Sequence, residues 1–262
     1  KTELEARFQD VSYHLFAAVL KAVLDGDLPT DGGAISHTVD VLMEGRQGGE
    51  PGMRTTRIKR LTFVEGVKAG TEYANKRPLA RPVIVRNPFA MSYKLSLAVE
   101  GEEKPFTIDS GAAVRVKARA SFVHRPAGRA GQAWRIDLTV VRQIAGGDVP
   151  SALTSIVAAM FRTRTRMTPA NMLSQLRADD AELGQQSVYR YEIEIEYVGA
   201  DFQLAPSDLT GVIDSILQLS NPEYLREAIY QAEVYYVATH VITDTPGYLR
   251  KFEREYGLKN LT

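Results

Sequence analysis

The chain contains no cysteine. Disulfides, thiolate metal ligands and thiol nucleophiles are therefore excluded at once. Histidine is scarce as well. His14, His37, His124 and His240 stand at no metal-ligand spacing, so a zinc centre is not expected and all four are read as structural or surface residues. No apolar run approaches the roughly 18 residues of a membrane span, and no signal-peptide pattern opens the chain; neither membrane insertion nor secretion is expected. A net charge is missing too. The 32 Lys and Arg balance the 32 Asp and Glu, so nothing global advertises a polyanionic partner.

What remains is a chain of 262 residues, 44% hydrophobic and 24% charged, long enough for one large domain or two small ones. The charge balance hides an asymmetry. Residues 54–142 hold 18 Lys/Arg against 7 Asp/Glu, leaving 14 against 25 elsewhere. A basic middle is thus flanked by acidic ends.

Apolar residues at helical spacing predict a helix over 11–24, ended by GDLPTDGG. Alternating patterns predict strands over 3–8, 35–42, 55–64, 70–75, 82–85, 92–99, 113–124, 133–144 and 189–199. Further helices are expected over 150–162, 169–177, 206–218 and 222–241. Runs of strands with helices near both ends give an α+β class rather than βαβ alternation.

The strands carry an unusual feature. In YRYEIEIEYVG, Glu192, Glu194 and Glu196 fall on one face, with Tyr191, Ile193, Ile195 and Tyr197 on the other, because successive side chains of a strand point to opposite sides. Three carboxylates spaced about 7 Å apart repel one another. An isolated charged row is well explained as a solvated edge strand that discourages aggregation. Here it is not isolated. Arg115, Lys117 and Arg119 share a face, as do Arg135, Asp137 and Thr139, and Glu3, Glu5 and Arg7. Arg57 and Lys59 share one, and Lys94, Ser96 and Glu100 lie at even spacing. Trp134 belongs to the opposite, apolar face of its strand and is read as core. A closed antiparallel β-barrel accommodates this pattern, with charged faces inward and apolar outer faces covered by helices. It inverts the usual small barrel, which fills its interior with apolar side chains. Carboxylates and basic groups in one lumen suit a polyphosphate with its divalent metal.

ELEARF, YKLSLAVE, VRVKARASF, WRIDLTVV and YEIEIEYVG, in that order, resemble the motifs of the triphosphate tunnel metalloenzyme family. NMLSQL at 171–176 adds to the likeness. Within the family the chain is most similar to the metal-dependent RNA 5′-triphosphatase domains of mRNA capping enzymes from large DNA viruses of the African swine fever type. The resemblance implies hydrolysis of the γ-phosphate of nascent RNA with Mg²⁺ or Mn²⁺ as cofactor. It implies that Glu3, Glu5 and Glu196 bind the metal and that Glu192 and Glu194 support them. Lys117 matches the lysine that grips the γ-phosphate, with Arg115 and Arg119 on the same wall. Arg135 and Asp137 match an orienting pair with Thr139 beside them, and Glu100 a glutamate that positions the attacking water. Arg57, Lys59 and Lys94 match basic lining positions. Arg7 stands where simpler members of the family have lysine.

The resemblance also implies an organisation. Residues 1–205 would form the tunnel. Residues 206–262 would form a helical segment packing on it and leading towards a guanylyltransferase domain that this chain lacks. Guanylyltransferase and methyltransferase domains are the expected fused or associated partners, and the virion and host cytoplasm the expected location. A same-fold tripolyphosphatase or nucleotidase, and a catalytically inactive polyphosphate-binding tunnel, stay open as alternatives.

Overall fold

The computed structural model describes residues 1–9, 11–44, 55–64, 67–85, 92–108, 112–126, 131–144, 167–174, 189–199 and 206–218. Strand β1 (Thr2–Phe8) is followed by helix α1 (Tyr13–Asp25). Seven strands follow: β2 (Asp31–Glu44), β3 (Thr56–Val64), β4 (Val67–Pro78), β5 (Val83–Val85), β6 (Tyr93–Glu102), β7 (Ala113–His124) and β8 (Trp134–Ile144). A 3-10 turn at Pro169–Asn171 precedes β9 (Tyr189–Tyr197), and helix α2 (Pro206–Gln218) is the last element among the described residues. The helices expected over 150–162 and 222–241 lie outside the described residues, as does the end of that expected over 169–177.

All strand pairings among the described residues are antiparallel. The strand order is β1-β9-β8-β7-β2-β3-β4-β6, and β6 pairs back onto β1 to close an eight-strand barrel. The short β5 lies alongside β6 as well. Closure leaves no free edge among those eight strands, so the charged rows are not needed as edge protection.

Register decides which side chains face inward. Arg115, Lys117 and Arg119 of β7 stand opposite Asp40, Thr38 and Ser36 of β2 and opposite Gln143, Val141 and Thr139 of β8. Arg135, Asp137 and Thr139 stand opposite Glu196, Glu194 and Glu192 of β9. Directly opposed residues in an antiparallel pair share a face, so these rows line one lumen. β2 reaches its register through a bulge between Gly32 and Ala34, where Gly33 takes φ 112°, a conformation that glycine adopts without penalty.

The apolar core sits outside the barrel. Trp134, Ile136, Leu138 and Val140 of β8 and Ile193, Ile195 and Tyr197 of β9 pack against Phe16, Val19, Leu20 and Val23 of α1 and Val212, Ile213 and Ile216 of α2. The α1 positions recur at helical spacing, giving one apolar stripe. Ser12 caps that helix by accepting from the Leu15 N–H at 3.2 Å, and Gly26 ends it at φ 85°. Each large side chain so buried contributes about 1.5–3 kcal/mol. The helices therefore free the lumen from any duty as hydrophobic core. Among the described residues no helix is long and apolar enough to cross a membrane.

Candidate active site in the barrel lumen

One wall of the lumen is acidic. Glu5 faces Glu196 and Arg7 faces Glu194 across the β1–β9 pair. Glu3, Glu5, Glu194 and Glu196 are all buried. Such a wall folds only if cations meet it. Arg7 pairs with Glu194 and, at 3.2 Å, with Glu5. Lys76 Nζ lies 2.9 Å from Glu3 and 3.1 Å from Glu5, and Lys1 Nζ lies 3.6 Å from Glu3 and 2.5 Å from Glu196. Burial pushes the Glu3 carboxyl up, but Lys76 and Lys1 more than reverse this and hold it below the usual range. Glu194 is held low in the same way, burial being outweighed by Arg7, Arg119 and Lys117.

The opposing wall is basic. Lys117 Nζ donates to Asp40 Oδ2 at 2.6 Å, and Arg60 Nε lies 3.2 Å from the other oxygen of that carboxylate. Asp40 is buried, and the two cations more than offset its desolvation, leaving its carboxyl below the usual range. Lys117 is shifted downward too. Burial is the main cause, and the neighbouring Arg115 and Arg119 add to it against the pull of Asp40. The lysine thus stands in an excess of positive charge that an incoming anion would relieve. Arg115 pairs with Glu192. Arg119 reaches Asp137 at 2.9 Å, Glu194 at 3.4 Å and Thr139 Oγ1 at 3.2 Å. Arg135 donates to Asp137 at 3.0 Å and pairs with Glu196. Ser121 donates to the remaining Asp137 oxygen at 2.7 Å. Glu100 lies 3.6 Å from Arg60.

Thirteen of the fifteen residues singled out from sequence therefore share the lumen: Glu3, Glu5, Lys94, Glu100, Arg115, Lys117, Arg119, Arg135, Asp137, Thr139, Glu192, Glu194 and Glu196. Lys94 stands opposite Arg7. Arg57 and Lys59 are the correction. They face outward, opposite Met43 and Val41 of β2. Arg57 lies 4.1 Å over the Phe106 ring and 3.6 Å from Glu103, and Lys59 lies 5.7 Å over Tyr73. In RTTRIKRLTF both parities carry basic residues, so charge alone does not choose a face. Leu61 and Phe63 share the parity of Arg57 and Lys59 and pack in the outer apolar cluster with Val39 and Val41; that was the legible signal. Arg60 occupies the inner face instead. Asp40 and Lys76 were also missed. Asp40 is flanked on its inner row by the uncharged Thr38 and Leu42, and Lys76 shares its row with Glu72 of opposite sign, so neither strand shows a row of like charges. His37 contacts Met167 and His124 the Pro29 carbonyl, neither as part of the charged lumen.

Among the described residues no three acidic or histidine groups stand as a ready-made metal cluster. The carboxylates are engaged by lysine and arginine. The donor set itself fits a hard divalent ion, because Glu3, Glu5, Glu194 and Glu196 offer only oxygen from two paired strands. Glu192 Oε2 is in addition buried with no hydrogen-bond partner.

No family model matches the chain. Over 259 residues, 99% of this chain, it is 30% identical to the mRNA-capping enzyme of African swine fever virus isolate Tick/South Africa/Pretoriuskop Pr4/1996. It is 29% identical over the same length to that of isolate Warthog/Namibia/Wart80/1980. The chain spans 27% of the length of these relatives. Among solved structures it is similar to the mimivirus capping enzyme triphosphatase, with TM-score 0.48, 11% identity, and coverage of 83% of this chain and 89% of that one. It is also similar to the S. pombe Pct1 RNA triphosphatase, with TM-score 0.45, 14% identity, and coverage of 89% and 83%. Along nearly its whole length this chain is similar to the African swine fever virus mRNA-capping enzymes, matching about a quarter of their length.

Proposed function

We propose that the chain is a metal-dependent RNA 5′-triphosphatase that removes the γ-phosphate of nascent RNA ahead of cap addition. The observation that carries the reading is a closed barrel whose lumen sets buried carboxylates on β1 and β9 against Arg115, Lys117 and Arg119 on β7. Relatives that are mRNA-capping enzymes along 99% of the chain make RNA the favoured bearer of the triphosphate.

In this reading Glu3, Glu5 and Glu196 hold Mg²⁺ or Mn²⁺, with Glu192 and Glu194 supporting them. The ion, when bound, supplies neutralisation of charge on phosphate oxygens. Lys117 releases Asp40 in favour of a γ-phosphate oxygen. Arg115 and Arg119 hold further oxygens, as guanidinium groups suit two at once. Arg135, Asp137 and Thr139 fix Arg119 and Glu196 in place. Glu100, steadied by Arg60, orients the water. Water oxygen bonds to the γ-phosphorus as the bond to the β–γ bridging oxygen breaks, giving diphosphate-ended RNA and inorganic phosphate. The water's protons pass to the product phosphate and solvent, and no covalent protein intermediate is needed. Charge developing on the departing oxygen is met by groups already aimed at it, usually the largest contribution to such catalysis.

We also assign residues 206–262 to a segment that leads towards guanylyltransferase and methyltransferase domains, with action in the virion and host cytoplasm. The greater length of the relatives supports the further domains. The test of the activity is phosphate release from γ-labelled triphosphate RNA, ATP and tripolyphosphate, with Mg²⁺ and with Mn²⁺. Release from RNA at the highest kcat/KM is expected. No release from any of the three would refute the reading.

A further inference from the structure

Lys76 has no part in the reaction as derived, yet it is built into the acidic wall. It belongs to β4, which does not adjoin β1; β6 lies between them. Lys76 stands opposite Glu100 of β6. Its ammonium nonetheless reaches across β6 to Glu3 Oε2 at 2.9 Å and Glu5 Oε2 at 3.1 Å. The way is open because the inward residues of β6 opposite Glu3 and Glu5 are Ala98 and Ser96, both small. Larger side chains at those two places would block the crossing.

We propose that Lys76 is a displaceable internal counter-ion: its ammonium bridges Glu3 and Glu5 until a divalent cation takes those carboxylates, and so sets the affinity of the site for metal. The proposal rests on the reading of Glu3 and Glu5 as metal ligands. Without Lys76, the buried Glu3, Glu5, Glu194 and Glu196 would face one another with less compensation. Two features let Lys76 yield; Lys1 shares them but pairs with Glu3 and Glu196, so among these lysines it is Lys76 that bridges Glu3 and Glu5. It holds both carboxylates through one compact charge on a flexible stem. It is also partly open to the lumen, with 27% of its side chain exposed, so the freed ammonium has somewhere to go. Because a site's net ligand charge tunes its affinity for hard cations, a neutral residue at this position strengthens metal binding.

The probe is Mn²⁺ alone, titrated into the full chain by calorimetry and electron paramagnetic resonance. Wild type, Lys76→Met, Lys76→Arg and Glu3→Gln are compared. Lys76→Met should bind Mn²⁺ about tenfold tighter or more, and its unfolding temperature should rise more on Mn²⁺ addition than that of wild type. Glu3→Gln should bind more weakly, and Lys76→Arg no tighter than wild type. Should Lys76→Met fail to fold, wild type still decides. Acetylation of Lys76, followed by mass spectrometry, should run faster with saturating Mn²⁺ than without it. Tight wild-type binding with no gain in Lys76→Met, or Mn²⁺-independent acetylation, would overturn the counter-ion role alone. Absence of Mn²⁺ binding in both wild type and Lys76→Met would overturn it together with the metal assignment.

Discussion

Replacing Asp40 with asparagine removes a negative charge from a place that water barely reaches. The Asp40 side chain is 2% exposed and its partner Lys117 9%. Loss of one member of such a pair strands the other, which typically costs about 3–5 kcal/mol. Arg60 softens the loss, being 28% exposed with Glu100 at 3.6 Å as an alternative partner. Lys117 has no such relief, since Arg115 and Arg119 flank it. The lower end, about 3 kcal/mol, is therefore expected, or a fall of about 6–12 °C in Tm for a chain of this size. The sign of the pH dependence follows from Lys117. Its folded-state pKa lies below that of an ordinary lysine, so its buried charge opposes folding fully below the folded value, and the penalty lifts as pH rises from there to the unfolded value. The destabilisation in Asp40→Asn should accordingly shrink between neutral and alkaline pH. Thermal and denaturant unfolding of wild type, Asp40→Asn and the double variant Asp40→Leu/Lys117→Met would measure this. The double variant should be more stable than Asp40→Asn, because neither charge is left alone. An Asp40→Asn protein within about 1 kcal/mol of wild type at neutral pH would refute the reasoning, since a stranded buried charge cannot be that cheap.

Lys117→Ala should lower kcat on triphosphate RNA by on the order of 10²–10³, with KM changed far less; an effect confined to KM would remove it from the chemical step. In wild type the alkaline limb of log kcat/KM should fall at a pH below the usual lysine value, as Lys117 is shifted downward; a limb at or above that value would separate this lysine from activity. Arg57→Ala and Lys59→Ala should leave kcat/KM within about twofold and reduce stability by no more than about 1 kcal/mol, the worth of an exposed cation–π contact, whereas Arg60→Ala should impair turnover. Acid should unfold the metal-free protein steeply: Glu3, Asp40 and Glu194 have folded pKa values below their unfolded ones, so their contribution is complete above the ordinary carboxylate range and disappears as pH falls through the folded values. Circular dichroism from pH 7 to pH 2 would show a flat stability below pH 4 if this were wrong.

Much of the lumen was legible because a strand alternates its faces every residue, a property local to each segment. Once Ile193, Ile195 and Tyr197 are seen to be apolar, Glu192, Glu194 and Glu196 must lie together on the other side. The same rule placed Arg115, Lys117 and Arg119 together, and Arg135, Asp137 and Thr139. Helix α1 was equally local, written in its apolar spacing, the Ser12 cap and Gly26. Alternation, however, sorts residues into two sets without saying which set faces in. In β3 both sets carry cations, and only pairing with β2 sends Arg60 to Asp40 and turns Arg57 and Lys59 outward. Cross-strand partners are likewise set by register between segments far apart in the chain. Asp40 meets Lys117 across 77 positions, and Lys76 crosses a whole strand to Glu5 across 71. Composition and periodicity thus determined that the strands have charged faces; closure and register, which depend on non-local hydrogen bonding and on helices covering the outer wall, decided which charges meet.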